Sequence, residues 1–329
     1  MRNLIHDIAH AAVGTVLLLS AGWAGAQSYP AKPIMIKVAY PAGFGVDASV
    51  RPAAPIMQGS LGQNLVIDNM PGANGSIAAM NVLNAQPDGY TLLATAGADL
   101  LVAPMTVASA KYTVDSFKLV GVFGASDMVL VTPPSAPFKT LNELVEHMRK
   151  PGIKELSISH WGTGTLGHLA AADFQARVGA KLLEVPYKGI APVAMAIASG
   201  EVDLAFVPLA GPIVGMVQTG RIKAIAVAGV KRNPVLPEVS LMNENAQFKN
   251  FELSIWAALF APARTPDAVV ARLSKAMDEW LNSAENLERT KAAGANKLDS
   301  MTPQQASTFL RSENEKYIGI AKSLKLVAQ

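Results

Sequence analysis

The chain has 329 residues, half of them apolar and 16% charged, with a formal net charge of +3. That balance suits a well-buried globular protein, and the scattered Lys and Arg residues form no dense patch, which argues against nucleic acid as a partner. No cysteine is present, which excludes disulfide staples, thiol catalysis, thiolate-held metals and an acylated lipoprotein anchor.

In chain order, the first 26 residues read as a secretory signal peptide. Arg2 gives a positive start, weakened by Asp7. Residues 11–19 form a short apolar run, and Ala24-Gly25-Ala26 is a small-residue cleavage pattern before Gln27. The run falls short of the roughly 20 residues a membrane span needs. A removed leader is therefore favoured over an anchor, and the mature chain is expected in the periplasm. About 300 residues then remain, enough for two ordinary domains.

From residue 34 to 230, short apolar runs alternate with helical patterns. Strands are predicted over 34–39, 65–68, 91–95, 117–123, 128–131, 156–159, 182–185, 202–207 and 222–228, bounded by Gly and Pro. Helices are predicted over 141–150, 168–178, 192–199 and 212–219. The alternation implies an α/β fold with one or more largely parallel sheets. The C-terminal third reads as helical cladding. Thr265 is expected to cap a helix with Pro266 at its first position and Gly294 as its stop. Thr302 and Gln305 have capping-box spacing for a second helix. Trp280, Phe309 and Tyr317 are expected in the core.

Two glycine-bearing loops follow predicted strands. The first is Pro41-Ala42-Gly43-Phe44-Gly45-Val46-Asp47, and the second is Trp161-Gly162-Thr163-Gly164-Thr165-Leu166-Gly167-His168. In open α/β sheets ligands bind beyond the carboxyl ends of strands, and amides at a helix start attract anions. Two such loops in separate halves suggest a cleft with a jaw on each side. A third segment, residues 69–76, reads as a turn and helix cap, with Asn74 or Ser76 within reach of a ligand.

The second loop also matches a dinucleotide fingerprint, with Glu184 about 20 residues downstream. Its mid-chain position, the expected export and the plain first loop argue against a nicotinamide cofactor. Enzyme constellations are poor. His147 sits in a Lys/Glu-rich helix and is expected in solvent. His160 and His168 flank the loop at a spacing that matches no zinc helix. No Gly-x-Ser-x-Gly elbow is present, Ser159 and His160 point to opposite strand faces, and Glu184 and Asp203 read as structural.

The chain resembles the extracytoplasmic solute receptors of tripartite tricarboxylate transporters, the Bug receptors. The resemblance rests on Tyr29-Pro30-Ala31-Lys32-Pro33-Ile34, the 41–47 loop, Leu61-Gly62-Gln63, Asn69-Met70-Pro71-Gly72-Ala73 and Pro87-Asp88-Gly89-Tyr90-Thr91. It continues through Gly164-Thr165-Leu166-Gly167-His168, Val185-Pro186-Tyr187-Lys188-Gly189, Gly200-Glu201-Val202-Asp203-Leu204 and Leu259-Phe260-Ala261-Pro262-Ala263. It implies a type II periplasmic-binding-protein fold, with two α/β lobes and a ligand cleft between them. Lobe one would comprise residues 27–126 and 229–329, and lobe two residues 127–228, with crossings near 124–127 and 226–230.

The implied function is capture of a small organic carboxylate for a membrane permease or a sensor kinase, by a monomer without cofactor, metal or catalysis. Ala42, Gly43, Phe44, Gly45, Asp47, Ala98, Asp127, Trp161, Gly164, Thr165, Gly167, His168 and Val207 are the expected ligand-binding residues. Hydroxyls such as Thr165 and loop amides would hold the carboxylate, partly through water, and Asp47 would orient the first loop. Phe44, Trp161, Leu166 and Val207 stand where the family has smaller or more polar residues, and Met70 replaces a frequent arginine. An aromatic or apolar acid is one expectation from this, and packing of both rings within the lobes is the other. Pro52 and Pro55 are expected to break or shorten the helix after loop one. The alternative function is an exported α/β enzyme using the 162–168 loop.

Overall fold

A computed structural model describes residues 29–43, 45–293, 295 and 298–323. The expected signal peptide, Phe44 and Gly294 lie outside the described residues.

The strands are β1 (Ile34–Val38), β2 (Leu65–Asn69), β3 (Thr91–Ala96), β4 (Phe117–Thr132), β5 (Ser157–His160), β6 (Leu183–Pro186), β7 (Leu204–Pro208), β8 (Lys223–Val227) and β9 (Ser254–Pro262). The helices are α1 (Asp47–Leu61), α2 (Ser76–Leu83), α3 (Gly97–Thr106), α4 (Leu141–Arg149), α5 (Leu166–Val178), α6 (Ile190–Ser199), α7 (Pro212–Gln218), α8 (Asp267–Leu281), α9 (Ala284–Ala292) and α10 (Pro303–Ser323). Among the described residues no helix is long and apolar enough to cross a membrane.

The strands run in the order β2-β1-β3-β9-β4-β7-β5-β6, with β8 also on β4. The parallel pairs expected from the alternation are present on the flanks, β1 with β2 and β3, and β5 with β6 and β7. The centre is antiparallel, because β9 runs against β3 and β4, and β4 against β7 and β8.

β4 joins the two halves. The sequence reads 117–123 and 128–131 as separate strands, because Gly124-Ala125-Ser126-Asp127 interrupts the apolar run. The chain nevertheless stays extended there, because β9 supplies backbone partners as far as Asp127, opposite Ser254. From Met128 onward the partners are β7 and β8 instead. A ring of backbone bonds ties this crossing together: Met128 N–H to Leu253 C=O (2.9 Å), Ala228 N–H to Met128 C=O (2.7 Å) and Leu253 N–H to Ala228 C=O (2.8 Å). β9 itself goes unread in the sequence, although its run Trp256-Ala257-Ala258-Leu259-Phe260-Ala261 is almost wholly apolar, as a centrally buried strand should be.

Pro52 and Pro55 do not break α1, which is continuous over Asp47–Leu61. Pro52 removes the donor that would have reached the carbonyl of Ala48, four residues back. Arg289 donates to that carbonyl from α9 at 3.3 Å, so the freed acceptor is answered. The Thr265 cap is also corrected. α8 begins at Asp267, the Thr265 hydroxyl is buried without a partner among the described residues, and its carbonyl accepts from Lys118 Nζ at 2.8 Å. The helical stretch divides at Asn282, and Ser283 caps α9 by accepting from the Asn286 amide at 3.1 Å. At α10 the expected capping box forms, with the Thr302 amide donating to Gln305 Oε1 (2.8 Å) and the Gln305 amide to Thr302 Oγ1 (3.3 Å). Trp280 and Tyr317 are fully enclosed and Phe309 is partly so. His147 is not in open solvent: it is half-buried, its ring against Phe138.

Candidate functional site

The first loop joins β1 to α1 and is organised by one buried carboxylate. Asp47 has no exposed surface. Its Oδ2 accepts from the Gly43 amide and from Arg51 Nε, both at 2.6 Å, and its Oδ1 accepts from Asn69 Nδ2 at 2.8 Å. Burial alone would raise its pKa, but these donors together outweigh burial and hold it below the usual carboxylate value. Ala42, Gly43 and Gly45 lie at the surface. Gly43 has φ +79°, a left-handed conformation that glycine adopts at no steric cost.

The second loop joins β5 to α5 and is braced by two histidines. His168 Nδ1 accepts from the Gly164 amide at 3.0 Å, and His160 Nδ1 accepts from the Gly162 amide at 3.3 Å. Their ring centroids are 4.6 Å apart. Burial first, then the neighbouring His168, pushes His160 down to about 4, while Gly162 opposes the shift. Burial lowers His168 as well, against the pull of Glu184. Both imidazoles are therefore neutral near pH 7. Potential ligand atoms of His160, His168 and Glu184 lie within 4.8 Å of one another. The tautomers oppose a metal there. An Nδ1 that accepts from an amide leaves the proton on Nε2, and a metal-bound histidine normally donates from its second nitrogen instead. His168 Nε2 faces Glu184 Oε2 at 3.5 Å, so Glu184 meets a histidine and not a ribose.

Trp161 is buried and its six-membered ring covers Gly167: a β-carbon built there would lie 2.4 Å from Cζ3. The ring is thus packed within its own loop, while Phe44, the other ring of that expectation, lies outside the described residues. Its Nε1 is buried without a partner among the described residues. The Thr165 hydroxyl donates to Gly162 C=O at 2.7 Å and so braces the loop. The donors that the loop retains are the first-turn amides of α5, which have no intrahelical acceptor.

The other wall of the site comes from β3 and α3. Asn74 Nδ2 donates to Thr163 C=O at 2.9 Å. A β-carbon on Gly164 (φ +78°) would lie 2.5 Å from Thr106 Oγ1 and 2.7 Å from Asn74 Nδ2, so this glycine permits the close approach. Ala98 is fully buried in the first turn of α3. The next residue, Asp99, is 4% exposed and accepts a short hydrogen bond from the Tyr40 hydroxyl. The Leu166 amide, at the start of α5, also interacts with the Asp99 carboxylate. Burial raises the Asp99 pKa to about 6, although Tyr40 and Leu166 pull the other way. Neither Asp99 nor Tyr40 is among the residues expected from sequence. The available signal was an ionisable residue directly after the apolar β3, at the start of a helix.

Two expected residues sit elsewhere in the framework. Val207 is fully buried within β7, opposite Val129. Asp127 lies at the β4 crossing, where its Oδ2 would be 2.5 Å from a β-carbon on Gly229.

Two jaws ending in helix-start amides, with a shared strand between them, form the architecture of a clamp. Residues 50–326 match the model of the tripartite tricarboxylate transporter family receptor, TctC. The chain belongs to this family. BugT from Bordetella pertussis is 31% identical over 319 residues, covering 94% of this chain and 96% of that one. The solved structure of the periplasmic binding protein BugD superposes with a TM-score of 0.80 at 29% identity, covering 92% of this chain and all of BugD. MatC from Rhodopseudomonas palustris, solved with bound malate, gives a TM-score of 0.79 at 25% identity, covering 89% and 99%. The fold is therefore the two-lobed periplasmic-binding-protein type, and the chain is a solute-binding receptor.

Proposed function

We propose that the receptor captures a small organic carboxylate between its lobes without chemical turnover, and hands it to a membrane permease or reports it to a sensor. The observation that carries this reading is the second loop, packed against Asn74 and Thr106 and ending at the first-turn amides of α5. The start of α5 is a corner that suits a carboxylate, because first-turn amides and the helix dipole both favour an anion. The malate held by MatC is consistent with that chemistry. Lobe one is assigned residues 27–126 and 229–329, and lobe two residues 127–228. The change of β4 partners after Asp127 supports this division. The mature protein is assigned to the periplasm as a monomer. The packing of Trp161 on Gly167 favours a ligand that touches the ring's edge over one stacked on its face.

Isothermal titration with malate, benzoate and NADH tests the class of ligand. Saturable binding of a carboxylate, recovered unchanged, is expected. Binding of NADH alone, or consumption of the acid, would contradict the receptor reading.

A further inference from the structure

Thr163 and Gly164 share one peptide unit that is held at both ends from opposite sides. Its carbonyl accepts from Asn74 Nδ2 at 2.9 Å, and its amide donates to His168 Nδ1 at 3.0 Å. His168 belongs to α5, which follows the loop directly. Asn74 lies 89 residues earlier, in the turn between β2 and α2. β2 stands at one edge of the sheet and β5 next to the other edge. The Asn74 bond therefore ties together two flanks that the lobe division above places in separate lobes. Thr106, on the same side as Asn74, only packs against Gly164, because its hydroxyl is spent on Val102 C=O at 3.3 Å.

The turn that carries Asn74 is bent to make this reach. Gly72, Ala73, Asn74 and Gly75 have φ of +125°, +46°, +49° and +80° in succession. Glycine takes such values freely and asparagine more readily than most residues, but alanine does so only at a cost. Strain of this kind persists where the surrounding structure over-determines it, and it collects at clamps and switches. The bond is also made at the rim. Asn74 is half-buried and Thr163 exposed, so water can replace each group when they part, and the net value of the bond is modest. A modest, hydratable bond between two flanks can break and re-form, as a buried one could not.

We infer that Asn74 is a positioning residue that latches the two jaws. Its side chain fixes the Thr163–Gly164 peptide, and with it the second loop, against the opposite flank, so that the closed arrangement is populated before any ligand enters. Asn74 then acts on a ligand only through that loop, by setting how long the jaws stay together. Opening the clamp requires exchange of this one bond for water.

The inference uses the proposed lobe division and no ligand, so its test is independent of what the receptor binds. The chain has no cysteine, so Asn81→Cys and Lys188→Cys, both at exposed positions on the two flanks, take a pair of spin labels without interference. Interlabel distances are measured by pulsed electron resonance on the unliganded mature protein, with Asn74 intact, as Asn74→Gly and as Asn74→Asp. Glycine suits the left-handed turn but has no donor, and aspartate keeps the shape of asparagine but turns an acceptor toward the Thr163 carbonyl. The intact protein is expected at mainly the shorter distance. Asn74→Gly should raise the open-to-closed ratio about fivefold, the loss of one net hydrogen bond, and Asn74→Asp should raise it further. Circular dichroism checks the fold of each variant. The same distance distribution in all three proteins, or an intact protein found mainly at the longer distance, overturns the latch and leaves the receptor reading standing. That reading falls instead on the titrations described above.

Discussion

Asp47 and Asp99 make an instructive pair. Each is a buried aspartate in the first turn of a helix that follows a strand of the same sheet, α1 after β1 and α3 after β3. Asp47 is met by Arg51, Asn69 and the Gly43 amide, and its pKa is held low. Asp99 has a hydroxyl and one backbone amide, no cation, and a pKa raised to about 6. The first is fixed by its own neighbourhood and shapes a loop. The second has no matching cation among the described residues, so burial dominates and its carboxyl is held above the usual value.

The largest expected loss of stability comes from breaking the satisfied member. Asp47→Ala strands the Gly43 amide and removes one bond each from Asn69 and Arg51, although Asn69 Nδ2 keeps Tyr40 C=O and Arg51 keeps Asn69 Oδ1, which should cost about 2 kcal/mol. Urea unfolding would read this as a lower midpoint. An unchanged midpoint would mean that loop one is held by something other than Asp47.

Asp99→Asn should have the opposite sign. The folded pKa of about 6 exceeds the usual aspartate value, so ionisation is disfavoured in the native state. Stability from this group is full below the unfolded pKa and falls as pH rises through about 6. Removing the charge should therefore stabilise the protein by about 3 kcal/mol at pH 7.5, with the gain shrinking toward about 1 kcal/mol by pH 4.5. Thermal melts of both proteins across that range check the sign and the trend together. A destabilised variant at pH 7.5 would end the contrast between the two aspartates.

Gly167→Ala sharpens the account of the second loop. The added methyl would meet the Trp161 ring, and overpacking of this kind costs about 1–2 kcal/mol. The same substitution in a Trp161→Leu background should cost little. An equal loss in both backgrounds, seen in a double-mutant cycle, would show that the ring is not what the methyl meets.

The smallest effect concerns His160. Its pKa is depressed to about 4, so the native state binds it neutral. That contribution is present above the unfolded histidine value and is lost as pH falls toward about 4. His160→Gln should relieve about 1 kcal/mol of acid destabilisation at pH 5.5. It acts against Asp99 over the same interval, so the wild-type curve near pH 5 is flatter than that of either variant.

Much of this arrangement is legible in the sequence, and the gaps have physical causes. The buried strands announce themselves by apolar runs closed with Gly or Pro, and the Thr302–Gln305 capping box by its spacing. β4 looks divided because Gly124 to Asp127 are poor strand formers, yet pairing with β9 overrides local propensity. The prolines of α1 look fatal because the sequence cannot show Arg289 reaching the freed carbonyl of Ala48. Both glycine loops are visible as candidate jaws. Which of their donors stay available is not, because the hydroxyl of Thr165 and the amides of Gly43, Gly162 and Gly164 are all claimed by partners within the loops. Asp99 is hidden because its burial and its bond from the Tyr40 hydroxyl are made by residues far apart in the chain.

The most direct test of the whole account is the identity of what the receptor holds. Protein isolated gently from its native cells is transferred to native mass spectrometry, and the ligand is released and identified. The account predicts one small organic carboxylate, chemically unchanged. A nucleotide, or an acid recovered chemically altered, would contradict it.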